Sequence, residues 1–307
     1  MDYPCRFHQA TLSLSPDGQP NFVLKKTTML RDSKGRAYQG LSSDLKKRLD
    51  PEGLRVGTWP ACVPQRRGRI GNAFFISEEY EPKISIFQED GTLVFNLPTP
   101  AKMVLAKPDQ DPANELALNK IGRQPNKGFE GLALDPEAQE LWTATQGPLI
   151  QDKVSGNGKW CRLIRYNLET GRPEGEFVYP LDSENCGISE LLWVKKGNLL
   201  VLERDSLAGS QAKVKRVYLV NPESGEDVSN QQSLADARLP IRPMGKNLVL
   251  DLLSPQLGLG GDSFPPKWEG MAWGVTIKWE PFLWLVSDND FNPLQKTWIV
   301  AIRLQLP

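Results

Sequence analysis

A short pattern recurs four times along this 307-residue chain, and it restricts the fold more than any other feature. Each copy opens with a Glu at the head of an apolar strand, and three of the four close with acids after a second strand. The first copy runs from Glu52-Gly53-Leu54 to Ser77-Glu78-Glu79-Tyr80 and the second from Glu130-Gly131-Leu132 to Thr145-Gln146. The third runs from Glu190-Leu191-Leu192 to Leu202-Glu203-Arg204-Asp205, and the fourth from Glu269-Gly270-Met271 to Ser287-Asp288-Asn289-Asp290. A repeat at this scale means one supersecondary unit used several times, each copy burying its faces against its neighbours.

The unit is larger than a hairpin. In the second copy Cys161 to Leu168 alternates apolar and polar residues, Glu169-Thr170-Gly171 turns, and Glu176 to Pro180 forms a fourth strand. The first copy continues with Lys83 to Phe87 and Thr92 to Phe95, and the third with Val214 to Val220 and Asn247 to Leu252. The fourth reaches only a third strand, Thr297 to Leu304. An N-terminal hairpin, Ala10 to Leu14 and Asn21 to Leu24 around a Ser15-Pro16-Asp17-Gly18 turn, stands outside the repeat. Spare strands at one end and a missing strand at the other are the arrangement by which a propeller closes its ring. The expected fold is therefore all-β, a propeller of four-stranded blades spanning residues 1–307 as one domain. About seventeen strands suit four blades and leave room for up to six; a β-sandwich is the alternative.

In a blade the first strand lines the central channel and neighbouring strands are antiparallel. The start of strand one, the end of strand two and the start of strand three then share one mouth. This places Glu52, Glu130, Glu190 and Glu269 together, with Glu78, Glu79, Glu203, Asp205, Asp288 and Asp290 from the second strands. Lys83, Lys153, Lys159, Lys213, Lys215 and Lys296 enter from the loops before strand three. Converging carboxylates repel one another unless a cation joins them. Oxygen donors favour a divalent cation of the Ca²⁺ or Mg²⁺ type over zinc. A single histidine, His8, rules out a His-rich metal centre. The plainer reading makes each Glu a cap for backbone N–H groups of the next blade.

Several functions are excluded by composition. Lys plus Arg and Asp plus Glu are both 37, so no net field draws in nucleic acid. No apolar run approaches the roughly 18 residues of a spanning helix, which argues against membrane insertion. The start, Met1 to Arg6, has no charged segment followed by an apolar one, so no export signal is expected. Cys5, Cys62, Cys161 and Cys186 have no CxxC spacing and read as free thiols or at most two disulfides. Neither a G-x-S-x-G elbow nor a phosphate-binding glycine loop occurs, and Gly261-Asp262-Ser263 reads as a turn. Trp142, Trp193, Trp273, Trp284 and Trp298 read as blade-to-blade core. The insertion from Trp59 to Gly71 belongs at the opposite mouth. In the long connection from Pro98 to Asn126, Asp111-Pro112 opens a short helix through Ile121.

Five ordered segments resemble the phytase-like family described as "esterase-like activity of phytase". They are Asp50-Pro51-Glu52-Gly53 with Ser77-Glu78-Glu79-Tyr80, Asn126 to Ala133, Tyr179-Pro180-Leu181-Asp182, Leu202 to Ser206, and Ser287 to Phe291. The resemblance spans roughly residues 10 to 305 and implies a β-propeller with esterase or phosphoesterase activity, in a family whose members commonly look exported to the periplasm or outside the cell. Gln146 stands where the pattern expects an acid, which thins the acidic ring at the second blade.

Together these readings give a hydrolase of small-molecule esters or phosphoesters, assisted by a divalent cation, with Ca²⁺ favoured. Glu52, Glu79, Glu203, Asp205, Asp288 and Asp290 are the expected metal ligands. Glu130 or Glu269 is the expected general base, and Arg204 the group that meets the oxyanion. Lys127, Lys213 and Lys83 are the expected substrate-binding cations. The rival expectation is a non-catalytic propeller that binds a ligand or protein and carries a structural calcium ion.

Overall fold

The computed structural model describes residues 3–14, 20–42, 44–64, 66, 68–137, 139–153, 158–195, 197–235, 240–274 and 281–306. Seventeen strands and one α-helix are present among them. The strands are β1 (Arg6–Leu14), β2 (Pro20–Met29), β3 (Pro51–Gly57), β4 (Ala73–Glu78), β5 (Lys83–Phe87), β6 (Leu93–Leu97), β7 (Phe129–Leu134), β8 (Glu140–Thr145) and β9 (Trp160–Asn167). They continue with β10 (Arg172–Pro180), β11 (Gly187–Lys195), β12 (Asn198–Arg204), β13 (Lys215–Val220), β14 (Lys246–Asp251), β15 (Lys267–Trp273), β16 (Phe282–Asp288) and β17 (Ile299–Arg303). The helix α1 (Pro112–Leu118) starts where Asp111 caps the amides of Ala113 and Asn114. The expected turn at Ser15 to Gly18 lies outside the described residues.

Three antiparallel sheets of four strands, β3-β4-β5-β6, β7-β8-β9-β10 and β11-β12-β13-β14, and a fourth of three, β15-β16-β17, are the blades. They form a four-blade propeller arrangement. Alternation along each strand gives every blade two faces, and the layers between blades one and two, two and three, and three and four are filled from both sides. Phe75 and Ile86 of the first blade meet Phe129, Ile164 and Tyr166 of the second. Leu163 and Tyr179 meet Leu191, Val201 and Tyr218, and then Leu200 and Val217 meet Trp268, Met271 and Leu285.

The N-terminal hairpin does not complete the fourth blade. Among the described residues, strands β1 and β2 pair only with each other. Their anchorage is to the first blade: Phe7 stacks on Phe74 at 4.9 Å, and Cys5 and Leu30 join a core with Ile76 and Phe87. Backbone hydrogen bonds from Arg31 N to Gly91 O and from Leu93 N to Arg31 O, both within 2.9 Å, fix the following segment to the same blade.

Long connections outside the second blade are held by charge. Arg162, fully buried, donates to both oxygens of Asp152 at 2.7 and 2.8 Å and also to Glu176. Lys102 reaches Glu176 at 3.2 Å and the carbonyls of Ser229 and Gln231. These paired buried charges tie the 101–103, 150–152 and 229–234 segments to one sheet.

Candidate functional site at the channel mouth

All four channel-lining strands carry a register irregularity at or beside the repeated Glu. The register slips between Pro51 and Leu54, Phe129 and Leu132, Ile188 and Glu190, and Trp268 and Gly270. An extra residue re-aims its side chain out of the sheet alternation, which turns this part of each first strand toward the axis. Glycine follows the Glu in three copies, and at Gly53 and Gly131 the inner strands of neighbouring blades nearly touch. A Cβ on Gly131 would lie 2.3 Å from Leu191 N, and one on Gly53 2.8 Å from Glu130 O. Hydroxyls span these approaches: Ser77 accepts from Gly53 N and donates to Glu130 O, and Ser189 donates to Trp268 O at 2.8 Å.

The four Glu residues line one open cavity of about 1040 Å³. Among the described residues around it, Asp50, Glu52, Glu79, Glu130, Glu190, Glu269, Asp288 and Asp290 face only Arg6, Arg55, Arg204 and Lys267. Glu79 and Glu130 are each 2% exposed, and Glu79 Oε1 has no hydrogen-bond partner. Burial first, and then mutual repulsion, lift the Glu52, Glu79 and Glu130 carboxyls well above the usual range. Burial likewise raises Glu269, against the pull of Arg204 and Lys267. One oxygen from each of Asp50, Glu52 and Glu79 lies within 4.8 Å of the others.

Three cations reach the axis and each is engaged by an acid. Arg204 donates to Glu269 but leaves its own Nε unpartnered; Lys267 meets Asp290 at 2.6 Å. Arg55 crosses the channel, pairing with Glu190 at 3.1 Å and donating to Leu191 O and Met271 O. Glu190 also accepts from Leu132 N and Leu191 N, so this Glu does cap the neighbouring blade. Beside the acids, Glu78 accepts from the amides of Asp50, Tyr80 and Glu81, and Arg48 sits 3.6 Å above the Tyr80 ring.

The other expected site residues have different surroundings. Glu203 is fully buried between blades, accepting from Tyr179 OH at 2.8 Å, Asp182 N and Lys246. Asp205 pairs with buried Lys215 at 2.6 Å and accepts from Leu207, Lys213 and Val214 amides. These two acids therefore have full sets of protein donors and do not face the cavity. Lys83 pairs with Glu81 at 2.5 Å, and neither it, Lys213 nor Lys127 lines the cavity. Asp288 and Asp290 do line it, at its exposed edge.

Asp50, Arg55, Lys267 and Tyr80 complete the site without having been singled out for it. The signal was present for Lys267, which heads a first strand two residues before the repeated Glu, where its side chain faces the same mouth. For Arg55 no local signal existed, since its reach across the axis depends on the closeness of three blades. The 58–72 connection joins the far ends of β3 and β4, and a second cavity there holds Thr58, Trp59 and Arg66. This is the opposite mouth, as expected for the insertion; Arg67 lies outside the described residues.

An "uncharacterized secreted protein" from Arthroderma benhamiae is 25% identical over 260 residues, covering 66% of this chain and 49% of that protein. The chain thus spans about half the length of the curated relative it matches. Among solved structures, the Dos1 propeller is similar over 90% of this chain and 64% of its own, at 10% identity and a TM-score of 0.36. The PQQ-bound aldose sugar dehydrogenase of Streptomyces coelicolor covers 96% of this chain and 71% of its own, at 11% identity and a TM-score of 0.37. The family model described as "Phytase-like: Esterase-like activity of phytase" matches residues 2–291, and with nearly the whole chain inside that match the chain belongs to the phytase-like family.

Proposed function

We propose that the chain hydrolyses a small ester or phosphoester at the channel mouth, with a divalent cation held on the acidic wall. The observation that carries this reading is the juxtaposition of buried, readily protonated Glu130 with Glu269, Arg204 and Lys267 around one open cavity. Glu130 accepts from the Gln146 amide and hydrogen-bonds with the Glu79 carboxyl, a setting in which it can take a proton from water or return one to a leaving group. Arg204 and Lys267 would turn from Glu269 and Asp290 toward the ester oxygens as negative charge develops there. A bound divalent cation supplies Lewis acidity and a more acidic water. Glu269 then orients Arg204, and Arg55 closes the channel beneath the reacting groups. Membership of the family supports hydrolase chemistry, and the secreted relative supports an extracellular or periplasmic setting.

A second reading is favoured by one observation: Arg204, Lys267 and Arg55 are all already paired with acids. A site whose cations are satisfied suits a binding propeller that holds a ligand or protein, with its cation structural. A panel containing phytate, p-nitrophenyl phosphate and p-nitrophenyl acetate and butyrate, each with Ca²⁺ and with chelator, separates the two. Turnover lost with chelator and in Glu130→Gln is expected; no turnover of any substrate would overturn the hydrolase reading.

A further inference from the structure

We propose that Asp50, Glu52 and Glu79 form a Ca²⁺ site on the first blade, at the end of the β3–β4 pair where β3 begins and β4 finishes. It rests on the proposed function only for what the ion does there, because the binding itself requires no turnover.

The geometry is that of a hard-cation site. Oxygens on opposite sides of a Ca²⁺ ion are separated by about 5 Å, given Ca–O distances near 2.3–2.6 Å. One oxygen from each of the three carboxylates falls within 4.8 Å of the others, inside that span. Glu79 supplies the independent indication of a ligand. Its side chain is 2% exposed, its Oε1 accepts no hydrogen bond, and it is directed at Asp50 and Glu52. A buried carboxylate oxygen without a donor carries a desolvation cost that a cation removes.

The support around the three acids is organised rather than accidental. Glu78 accepts from Asp50 N at 3.1 Å and from Tyr80 N at 3.0 Å, so one buried side chain fixes the backbone on both sides of the site. Glu79 N donates to Asp50 O, joining the same two segments directly. Gly128 packs on the Glu79 carbonyl so closely that a Cβ would lie 1.9 Å from it. The carboxylates thus converge on backbone held from three directions. The remaining positions of an ion face the open cavity, where water or a substrate oxygen can bind. Three carboxylates in an irregular cluster suit Ca²⁺, which accepts varied geometry, better than Mg²⁺, which demands a near-ideal octahedron.

Terbium(III) provides a direct probe, since it takes Ca²⁺ sites and luminesces when excited through a nearby phenol; Tyr80 and Tyr3 both line the cavity. Tyrosine-sensitised Tb³⁺ luminescence is expected in the full chain, displaced by Ca²⁺ at lower concentration than by Mg²⁺. Asp50→Asn and Glu79→Gln should each weaken binding by about tenfold or more, while Asp290→Asn, exposed and outside the three, should leave it within about twofold. Should Glu79→Gln not fold, partly exposed Asp50→Asn carries the test alone. Absence of sensitised luminescence, or unchanged affinity in Asp50→Asn, overturns the site; tighter displacement by Mg²⁺ overturns the choice of ion. A chain that binds Ca²⁺ here yet hydrolyses nothing retains the site and loses the hydrolase reading.

Discussion

Glu203 and Arg204 are consecutive at the end of β12, yet they serve opposite faces of the third blade. Glu203 turns toward the second blade, accepting from Tyr179 there and from Lys246 of its own blade. Arg204 turns toward the fourth and meets Glu269 at the cavity. Strand alternation alone separates an acid buried between blades from a base at the cavity.

Replacing the two should therefore have different consequences. Glu203→Gln leaves Lys246 without half of its buried partner set and is expected to cost about 3 kcal/mol of stability, with turnover per folded molecule unchanged. Arg204→Met releases Glu269, which is 19% exposed at its side chain and can regain water. Its stability should stay within about 1 kcal/mol of the parent, while ester turnover falls by about 100-fold. Urea unfolding midpoints beside initial rates test both, and a Glu203→Gln protein that is stable but inactive would reverse the assignment.

The same alternation explains what could be read from the chain. The four-fold Glu pattern located the four first strands, and antiparallel order placed Glu52 and Glu269 at one mouth, as observed. Each of these inferences needed only local periodicity. Strand-two acids were harder, because whether Glu203 or Arg204 faces the axis depends on parity relative to a bulge that the sequence does not mark. The hairpin was misplaced for a related reason: its spare strands matched the missing strand of the last blade by count. What decides its position is the packing of Phe7 and Leu30 on the first blade. Asp50 stood in the quoted Asp50-Pro51-Glu52-Gly53 segment but lies just before β3, and its place beside Glu79 comes from the backbone bonds between the two segments.

Gly131 sets how closely the second and third blades approach. A methyl group there meets the Leu191 amide nitrogen and Glu190 backbone at 2.3–2.6 Å, atoms that move only with the whole strand. Gly131→Ala is expected to cost about 1–3 kcal/mol and to loosen the ring of Glu residues with it. A thermal melt showing no loss would mean that the inner strands can slide apart freely.

Acid stability should depend on Asp182. Burial raises its carboxyl, but hydrogen bonds from Lys246, Tyr218 and Arg216 outweigh this and bring it down to about 2 from an ordinary 3.8. A carboxyl depressed by folding stabilises the native state fully above its unfolded value and loses that contribution as pH falls through the folded one. The Asp182 contribution is therefore complete above about pH 4 and lost toward about pH 2. Urea unfolding from about pH 5 to pH 2 should show a steeper decline in the parent than in Asp182→Asn. Parallel curves would place the acid sensitivity elsewhere.

Glu130 offers the sharpest separation of function from fold. It is 2% exposed, its side chain accepts from Gln146, and Glu79 stands beside it as a second carboxyl that both repels it and hydrogen-bonds with it. Burial and the like charge of Glu79 both oppose ionisation there and outweigh the pull of Arg204. Glutamine keeps the shape, removes the charge and can still meet Gln146 through its amide oxygen. Glu130→Gln is accordingly expected to melt at or above the parent temperature, since residues kept for chemistry often lower stability. As the proposed proton acceptor it should lose about 100-fold in turnover on p-nitrophenyl butyrate. Melting curves and initial rates on the same preparation check both halves. A stabilised protein with full activity would remove Glu130 from the chemistry, and a destabilised one would show that its charge is neutralised by a partner within the fold.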